Sequence, residues 1–542
     1  MFIKSLKDCL SKCNVNSRYN TLYAPKRKRI EWKCEIGLEV HVQLLTKSKL
    51  FSSGPNKYKI PPNSGVNLFD AAIPGTLPVL NKRAVELAAL ASFALNCEVN
   101  PISMFDRKHY FYPDMPNGYQ ITQQRMPLAQ NGIIEFTVPP PPGKSLYIKT
   151  ARIKQIQLEQ DSGKSLHDVE SGETLIDLNR AGIPLIEIVF EPDLYDPEEA
   201  GALLKDLCAI FRKCGISSCK MEEGAVRVDA NVSVRREGEE LGVRTEIKNI
   251  GSIRGVVHAA NQEVARQIRI LERGGKILNQ TLGWDAIKRE VVVLRDKEEY
   301  HDYRFMPEPN LPPLRLIVDE NSNRLHERVK NRDSILDVRH LKKQVPMLPQ
   351  QERTLIIDKY NASGEMAYDI VNIPKLHSHF MNIMNENPER DVKSVHNVLL
   401  ITYLTTLHRL CRNLGDCDLP SSVLGELADA RVDTLTEKGA QVILRQIMEG
   451  SRLSVKELIN EKNLTVLTDD EIRTLCLDVI DNEPNILTSK KIYKNKVNYI
   501  LSKVMARSEA RAKYLSVLRI VDLTLQEKGL KPDEKKKKRK VE

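Results

Sequence analysis

Between Glu35 and Leu44 every even-numbered residue is aliphatic, while the odd positions read Glu35, Gly37, Glu39, His41 and Gln43. A period of two predicts a β-strand with one face toward a core and the other carrying carboxylates and an imidazole. Val226 to Arg235 repeats the device, with Arg227, Asp229, Asn231, Ser233 and Arg235 on its polar face. The run Gln155-Ile156-Gln157-Leu158-Glu159 sets Glu159 opposite Ile156 and Leu158, and Pro184 to Glu191 interrupts an aliphatic run with Glu187. A half-solvated antiparallel sheet produces the same alternation with no site at all. These polar positions, however, are not the Lys, Thr and Glu mixture of an ordinary wet face. A lone carboxylate in an aliphatic run is also costly unless it is paired or bound to a metal. If these strands share one sheet, its polar floor suits phosphate and metal.

Helical signals enter between the strands. Asp196-Pro197-Glu198-Glu199 combines an N-cap, a proline at the first helical position and an acidic first turn, and the helix runs to Lys213 with a stop at Gly215. A second helix is predicted from about Val256 to Gly274-Gly275. Pro139 to Pro142 forms a stiff connection, and Pro307, Pro309, Pro312 and Pro313 close the mixed region. Beyond about residue 323 strand signals fade and helical periodicity takes over. Near the end, Val497, Ile500, Leu501, Val504 and Met505 form an apolar stripe, with Lys496, Lys503, Arg507 and Arg511 off it. The pattern therefore predicts an α+β region followed by helices alone.

Charge sharpens this division. The 542-residue chain carries a net +10, but residues 484 to 542 hold 17 Lys and Arg against 6 Asp and Glu. Residues 1 to 30 hold 8 basic residues against Asp8 alone, so the stretch between the two ends is acidic. Phe2, Ile3, Leu6 and Leu10 lie at helical spacing among the basic residues of the first segment, the pattern of a mitochondrial presequence. The runs Lys26 to Arg29 and Lys535 to Lys540 also fit nuclear addresses, or in the second case a solvated tail. Ten scattered cysteines without a Cys-x-x-Cys pair suggest neither a disulfide framework nor a thiolate zinc site, and a reducing compartment fits. The best apolar stretch, Val85 to Leu95, is short and includes Glu86, so no membrane span is expected.

Five strings occur in order: Glu35 to Gln43, Phe105-Asp-Arg-Lys-His-Tyr-Phe-Tyr-Pro-Asp114, Gly118-Tyr-Gln-Ile-Thr-Gln123, Asn179 to Val189, and His301-Asp-Tyr-Arg304. Together they resemble the B subunit of the tRNA-dependent amidotransferase that converts misacylated Glu-tRNA(Gln) to Gln-tRNA(Gln), in its mitochondrial form. The resemblance spans about residues 31 to 529. It implies a presequence over 1–30, a glutamine-synthetase-like catalytic cradle domain with a largely antiparallel sheet over 31–322, and a helical domain over 323–465. A helical tRNA-binding tail domain over 466–529 and a disordered Lys-rich tail over 530–542 complete the scheme.

The implied chemistry is ATP-dependent phosphorylation of the tRNA-linked γ-carboxylate, followed by displacement of phosphate by ammonia. An amidase (A) subunit would supply the ammonia, a small C subunit would stabilise the assembly, and the mitochondrial matrix would be the location. Phosphoryl transfer asks for Mg2+ on carboxylates and for Arg or Lys aimed at phosphate. The resemblance puts Glu39, His41, Glu159 and Glu187 at the metal and catalytic positions. It makes Arg107, Lys108, Arg227 and Arg304 candidates for substrate or phosphate contacts, and Lys496, Lys503, Arg507 and Arg511 candidates for tRNA. Two departures stand out. Gln160 replaces one of two paired carboxylates, which puts a second metal site in question, and Phe51 to Pro74 lacks the cysteines that hold zinc in many bacterial relatives, so no zinc is expected. Met306 stands where the family tends to have Phe, a change of packing only. Two rival readings are an RNA-binding scaffold with a vestigial site, supported only by Gln160, and a stand-alone amino-acid ligase, which the basic end argues against.

Overall fold

The computed structural model describes residues 32–139, 145–168, 170–285, 287–296, 303–327, 329, 331, 334–488 and 492–530. The proposed presequence, the Lys-rich tail, Pro140 to Pro142, His301 and Asp302 lie outside these residues.

The strands predicted from alternation do share one sheet. Among the described residues Trp32–Gln43 is the central strand of nine, flanked by Val226–Arg236 on one side and Pro184–Phe190 on the other. Thr245–Ile250, Gln280–Asp285 and Glu290–Asp296 extend the sheet beyond Val226–Arg236, while Tyr147–Gln160, Ala129–Val138 and Glu98–Val99 extend it beyond Pro184–Phe190. Every pairing is antiparallel except Thr245–Ile250 with Gln280–Asp285.

The aliphatic face of this sheet is covered by helices. Ile36, Leu38, Val40, Val42, Ile186, Ile188, Val228 and Val232 are fully or almost fully buried in one core with residues of Lys82–Ala94, Pro197–Lys213 and Ile253–Glu272. Pro197–Lys213 begins as its sequence predicts, with the Asp196 carboxylate accepting the Glu198 N–H at 2.8 Å. Its Gly201 faces the Ile253–Glu272 helix so closely that a Cβ would lie 2.6 Å from Val257 Cγ2, so glycine is what allows the two helices to meet. Covering one face leaves the other open, and that open face is the one lined by the odd, polar residues.

Two helical units follow. One core runs from Ile356 to Leu464 and a second from Leu467 to Leu525. Around the division expected at 322 the packing is continuous. Ile335–Asp337 pairs in parallel with Leu314–Ile317, and Leu341, Val345 and Leu348 pack on the first core, which carries that unit to about residue 348. A three-residue strand and a short helix are too brief to show a period. At the junction, Arg353 reaches back to Asp206 with two hydrogen bonds of 2.6 Å, and both side chains are buried. Among the described residues no helix is long and apolar enough to cross a membrane.

Candidate functional site

Strand pairing puts residues far apart in sequence side by side on the open face. His41 stands opposite Glu187 on one neighbouring strand and Arg227 on the other, while Glu39 stands opposite Asp229. Gln157 pairs with Glu187, so Glu159 follows two residues along on the same face. The result is a cleft of about 210 Å³ whose lining includes Glu39, His41, Glu159, Glu187, Arg227 and Asp229. Lys108, Tyr110, Asp161 and Lys248 complete its charged and aromatic wall.

The groups are held firmly. His41 Nδ1 lies 2.7 Å from Glu159 Oε1, and Gln157 Nε2 donates to Glu187 Oε2 at 2.5 Å. Asn231 Nδ2 donates to Glu39 Oε1 at 3.0 Å. Arg227 Nη2 donates to Asp161 Oδ1 at 2.5 Å, and Lys248 Nζ lies 3.0 Å from both Asp229 and Glu246. One candidate ligand atom from each of His41, Glu159 and Glu187 lies within 4.8 Å of the others.

These distances distort proton affinities. Burial favours a neutral His41, but the Glu159 carboxylate, with Glu187 and Asp229 behind it, raises the imidazole to about 9. Burial, then the charges of Glu159 and Glu39, pushes Glu187 up to about 8. Burial works the same way on Glu159, yet the adjoining His41 and Lys108 hold it below the ordinary carboxylate range. Such opposed shifts mark an acidic site crowded enough to favour an added cation.

The structure therefore brings together Glu39, His41, Glu159, Glu187, Lys108 and Arg227. Arg107 is a correction: neighbours on a strand point to opposite faces, and its guanidinium grips Glu308 at 2.6 and 3.0 Å and stacks on Tyr119. Arg304 is a second correction, because it sits on an adjoining loop with an exposed side chain and does not line the cleft. Gln160 is a third: strand alternation turns it away from Glu159, and its amide reaches Met115 Sδ at 3.9 Å, so its missing charge is not missing from the cleft.

Asp161, Asp229, Lys248 and Tyr110 join the site without having been singled out by sequence. Asp229 belongs to the polar row of Val226 to Arg235, Lys248 lies on the neighbouring Thr245–Ile250 strand, and Asp161 lies just beyond the end of its strand and is recruited by Arg227 and Arg180.

The four basic residues read as a tRNA contact are also disposed differently. The apolar stripe packs as predicted, with Val497, Ile500, Leu501 and Val504 buried. Lys496 is nevertheless buried too, and donates to the Leu487 carbonyl at 2.9 Å. Lys503 lies 3.4 Å from Glu483, Arg507 bonds Asp478, and Arg511 donates to the Thr465 carbonyl at 3.1 Å and lies 3.9 Å from Glu471. Counted over the packed unit, residues 466 to 530 hold 11 Lys and Arg and 9 Asp and Glu.

Residues 34–321 match the family model described as GatB/GatE catalytic domain, and residues 378–524 match one described as GatB domain, which reaches across both helical cores. The chain is 46% identical over 488 residues to the B subunit of the mitochondrial glutamyl-tRNA(Gln) amidotransferase of Aedes aegypti, covering 89% of this chain and 91% of that one. It is 39% identical to the Homo sapiens protein of the same name over 93% of this chain and 91% of that one. It is 38% identical to the B subunit of the aspartyl/glutamyl-tRNA(Asn/Gln) amidotransferase of Rickettsia prowazekii (strain Madrid E), over 89% and 95%. The catalytic-domain match takes in every strand that lines the cleft, and with the extent of those alignments it establishes that this chain belongs to the GatB/GatE family.

Proposed function

We propose that the chain is the subunit that amidates Glu-tRNA(Gln) to Gln-tRNA(Gln) in mitochondria, and that the open face of its sheet is where ATP activates the glutamate. An ionised γ-carboxylate resists attack by ammonia. One of its oxygens therefore attacks the γ-phosphorus of ATP, ADP leaves with the electrons of the broken P–O bond, and the carbonyl carbon becomes attackable. Ammonia then adds its nitrogen to that carbon, phosphate departs, and a proton is lost from nitrogen.

The residues present suit this sequence. Arg227 and Lys108 bring positive charge to a cleft that must hold phosphoryl oxygens, and Asp161 fixes the guanidinium of Arg227 so that little reorganisation is needed. Glu159 orients His41 through the Nδ1 contact, and Gln157 orients Glu187. Glu39, His41, Glu159 and Glu187 form a donor set in which carboxylate oxygens dominate, as a hard dication prefers, with histidine as its less usual member. Bound there, Mg2+ would neutralise charge on the transferring phosphoryl group.

Our reading of the assembly follows from the same chemistry. No Gly-x-Ser-x-Gly elbow occurs in the chain, so an amidase (A) subunit supplies ammonia, and a small C subunit completes a heterotrimer in the matrix. The last helical unit contacts tRNA through Lys503, Arg507 and Arg511, with Lys496 serving the packing instead.

The observation that carries the reading is the convergence of His41, Glu159 and Glu187 within 4.8 Å on a face the core leaves open. Glu187→Gln keeps volume but removes the carboxylate that a bound cation would draw into its ionised form, so ATP-dependent amidation is expected to fall more than about a hundredfold, beyond the loss typical of outer-sphere changes at metal sites, with tRNA binding within about twofold of wild type. Amidation close to wild type at saturating magnesium would refute the role given to this face.

A further inference from the structure

A carboxylate can accept about four hydrogen bonds, two at each oxygen. The buried Asp161 has all of these places taken. Its Oδ1 accepts the Ser162 N–H at 3.0 Å and Arg227 Nη2 at 2.5 Å. Its Oδ2 accepts twice from Arg180, from Nε at 3.1 Å and from Nη2 at 2.7 Å. Arg227 is therefore left with one bond to an acid that could otherwise hold it with both oxygens.

That restriction bears on the cleft. A guanidinium beside a carboxylate favours the forked arrangement of two parallel bonds. Arg227 lines the cleft and is held through Nη2, and among the described residues its Nε and Nη1 have no hydrogen-bond partner. Those donors are free to meet phosphoryl oxygens. A second bond to Asp161 would take one of them away and draw the cation toward the acid.

Arg180 is anchored from outside the cleft, whose lining it does not join. Its Nη1 donates to the Glu223 carbonyl at 3.2 Å and its Nη2 to the Gly224 carbonyl at 3.1 Å. Gly224 has a φ of +70°, and a Cβ there would lie 3.0 Å from Arg180 Nη1, so glycine both permits the turn and admits the guanidinium. Val226–Arg236, the strand that carries Arg227, begins two residues later. Arg180 thus ties the root of that strand to the carboxylate that grips Arg227.

We infer that Arg180 is a positioning residue: by filling Asp161 Oδ2 it keeps Arg227 on a single bond, with its remaining donors left for the phosphoryl group. The inference rests on the phosphate-binding role proposed for Arg227.

The test uses the full chain assembled with its partner subunits, with saturating ammonium salt. Arg180→Met cannot donate a hydrogen bond, and the 25% exposure of the arginine side chain lets water reach the carbonyls it leaves. A thermal melt checks that the complex stays folded. The kcat for amidation is expected to fall by about tenfold, short of the loss from removing a charge-stabilising donor outright, while KM for ATP stays within about threefold of wild type. Adding Asp161→Asn to Arg180→Met is expected to restore about threefold of that loss, because an amide does not hold a guanidinium as a carboxylate does. A merely structural role would instead make the two losses accumulate. Arg180→Lys, the milder change, keeps a cation and one donor for Oδ2 and is expected to retain more activity than Arg180→Met. The crystal structure of the Arg180→Met complex supplies a readout independent of activity, and Arg227 bonded to both oxygens of Asp161 is the expected result. Arg227 still on Oδ1 alone, a double variant no faster than Arg180→Met, or Arg180→Lys as slow as Arg180→Met would each overturn the inference. A wild-type complex that performs no ATP-dependent amidation would refute the proposed reaction, and the crystallographic comparison would still decide what holds Arg227.

Discussion

The sheet cleft and the last helical unit are both rich in charge, and they dispose of it in opposite ways. In the cleft, Glu39, Glu159, Asp161, Glu187 and Asp229 meet His41, Lys108, Arg227 and Lys248 on strands whose directions are set by the backbone. Burial, together with the neighbouring acids, pushes Glu187 up to about 8. In the helical unit, Asp469–Asn482 is acidic and packs against the basic Tyr493–Arg507, where Arg507 meets Asp478 and Lys503 meets Glu483. Charge there is spent on neighbouring helices before any partner arrives. In the cleft several acids crowd one another, whereas in the helical unit Lys503 and Arg507 each meet an acid from a neighbouring helix, so a tRNA contact there would have to displace these pairs.

The largest expected effect lies in the cleft. Arg227→Gln removes a cation that Asp161 holds in place, and kcat/KM for amidation is expected to fall by about 10²-fold, the scale for losing one preorganised charge-stabilising donor. Steady-state kinetics with saturating ammonium salt would check this without the amidase, and a loss below about threefold would break the contrast by making Arg227 another surface pair.

A smaller effect of opposite sign is expected in the helical unit. Asp478→Ala combined with Glu483→Ala releases Arg507 and Lys503, and tRNA affinity is expected to rise by about threefold or more at low salt, with a steeper salt dependence. These pairs are exposed, so stability should change by no more than about 1 kcal/mol. Filter binding over a salt series reads both quantities, and unchanged or weaker binding would mean that this unit does not contact tRNA.

The smallest change is expected at Gln160. Because its side chain faces Met115 and not Glu159, Gln160→Glu should leave divalent-cation affinity within about twofold, whereas a further acid inside the cleft would raise it. Calorimetric titration with magnesium distinguishes the two.

Much of the cleft is legible in the sequence because strands leave side chains no choice of face. Alternation alone puts Glu39, His41, Arg227 and Asp229 on one side. What it cannot supply is register: Glu187 stands opposite His41 only because Pro184–Phe190 pairs with the central strand in one alignment of several possible. Arg107 and Lys108 show the same limit, since adjacent strand residues diverge and only one of them could line the cleft. In the helices the difficulty is different. Long basic side chains bend toward whatever acid lies near, and the acids that hold Arg507 and Lys503 come from upstream of the segment that concentrates the basic charge. Beyond residue 322, Ile335–Asp337 is too short to carry a readable period.

The proposed cation site for phosphoryl transfer consists of His41, Glu159 and Glu187 together. Its most direct test is titration of the assembled complex with Mn2+ as the probe, followed by the electron paramagnetic resonance signal of the free ion and by competition with Mg2+. A Mn2+ site is expected that Mg2+ displaces and that Glu159→Gln or Glu187→Gln weakens by at least about tenfold, as when one anionic ligand is lost. Mn2+ binding in both variants equal to that of the wild type would contradict it.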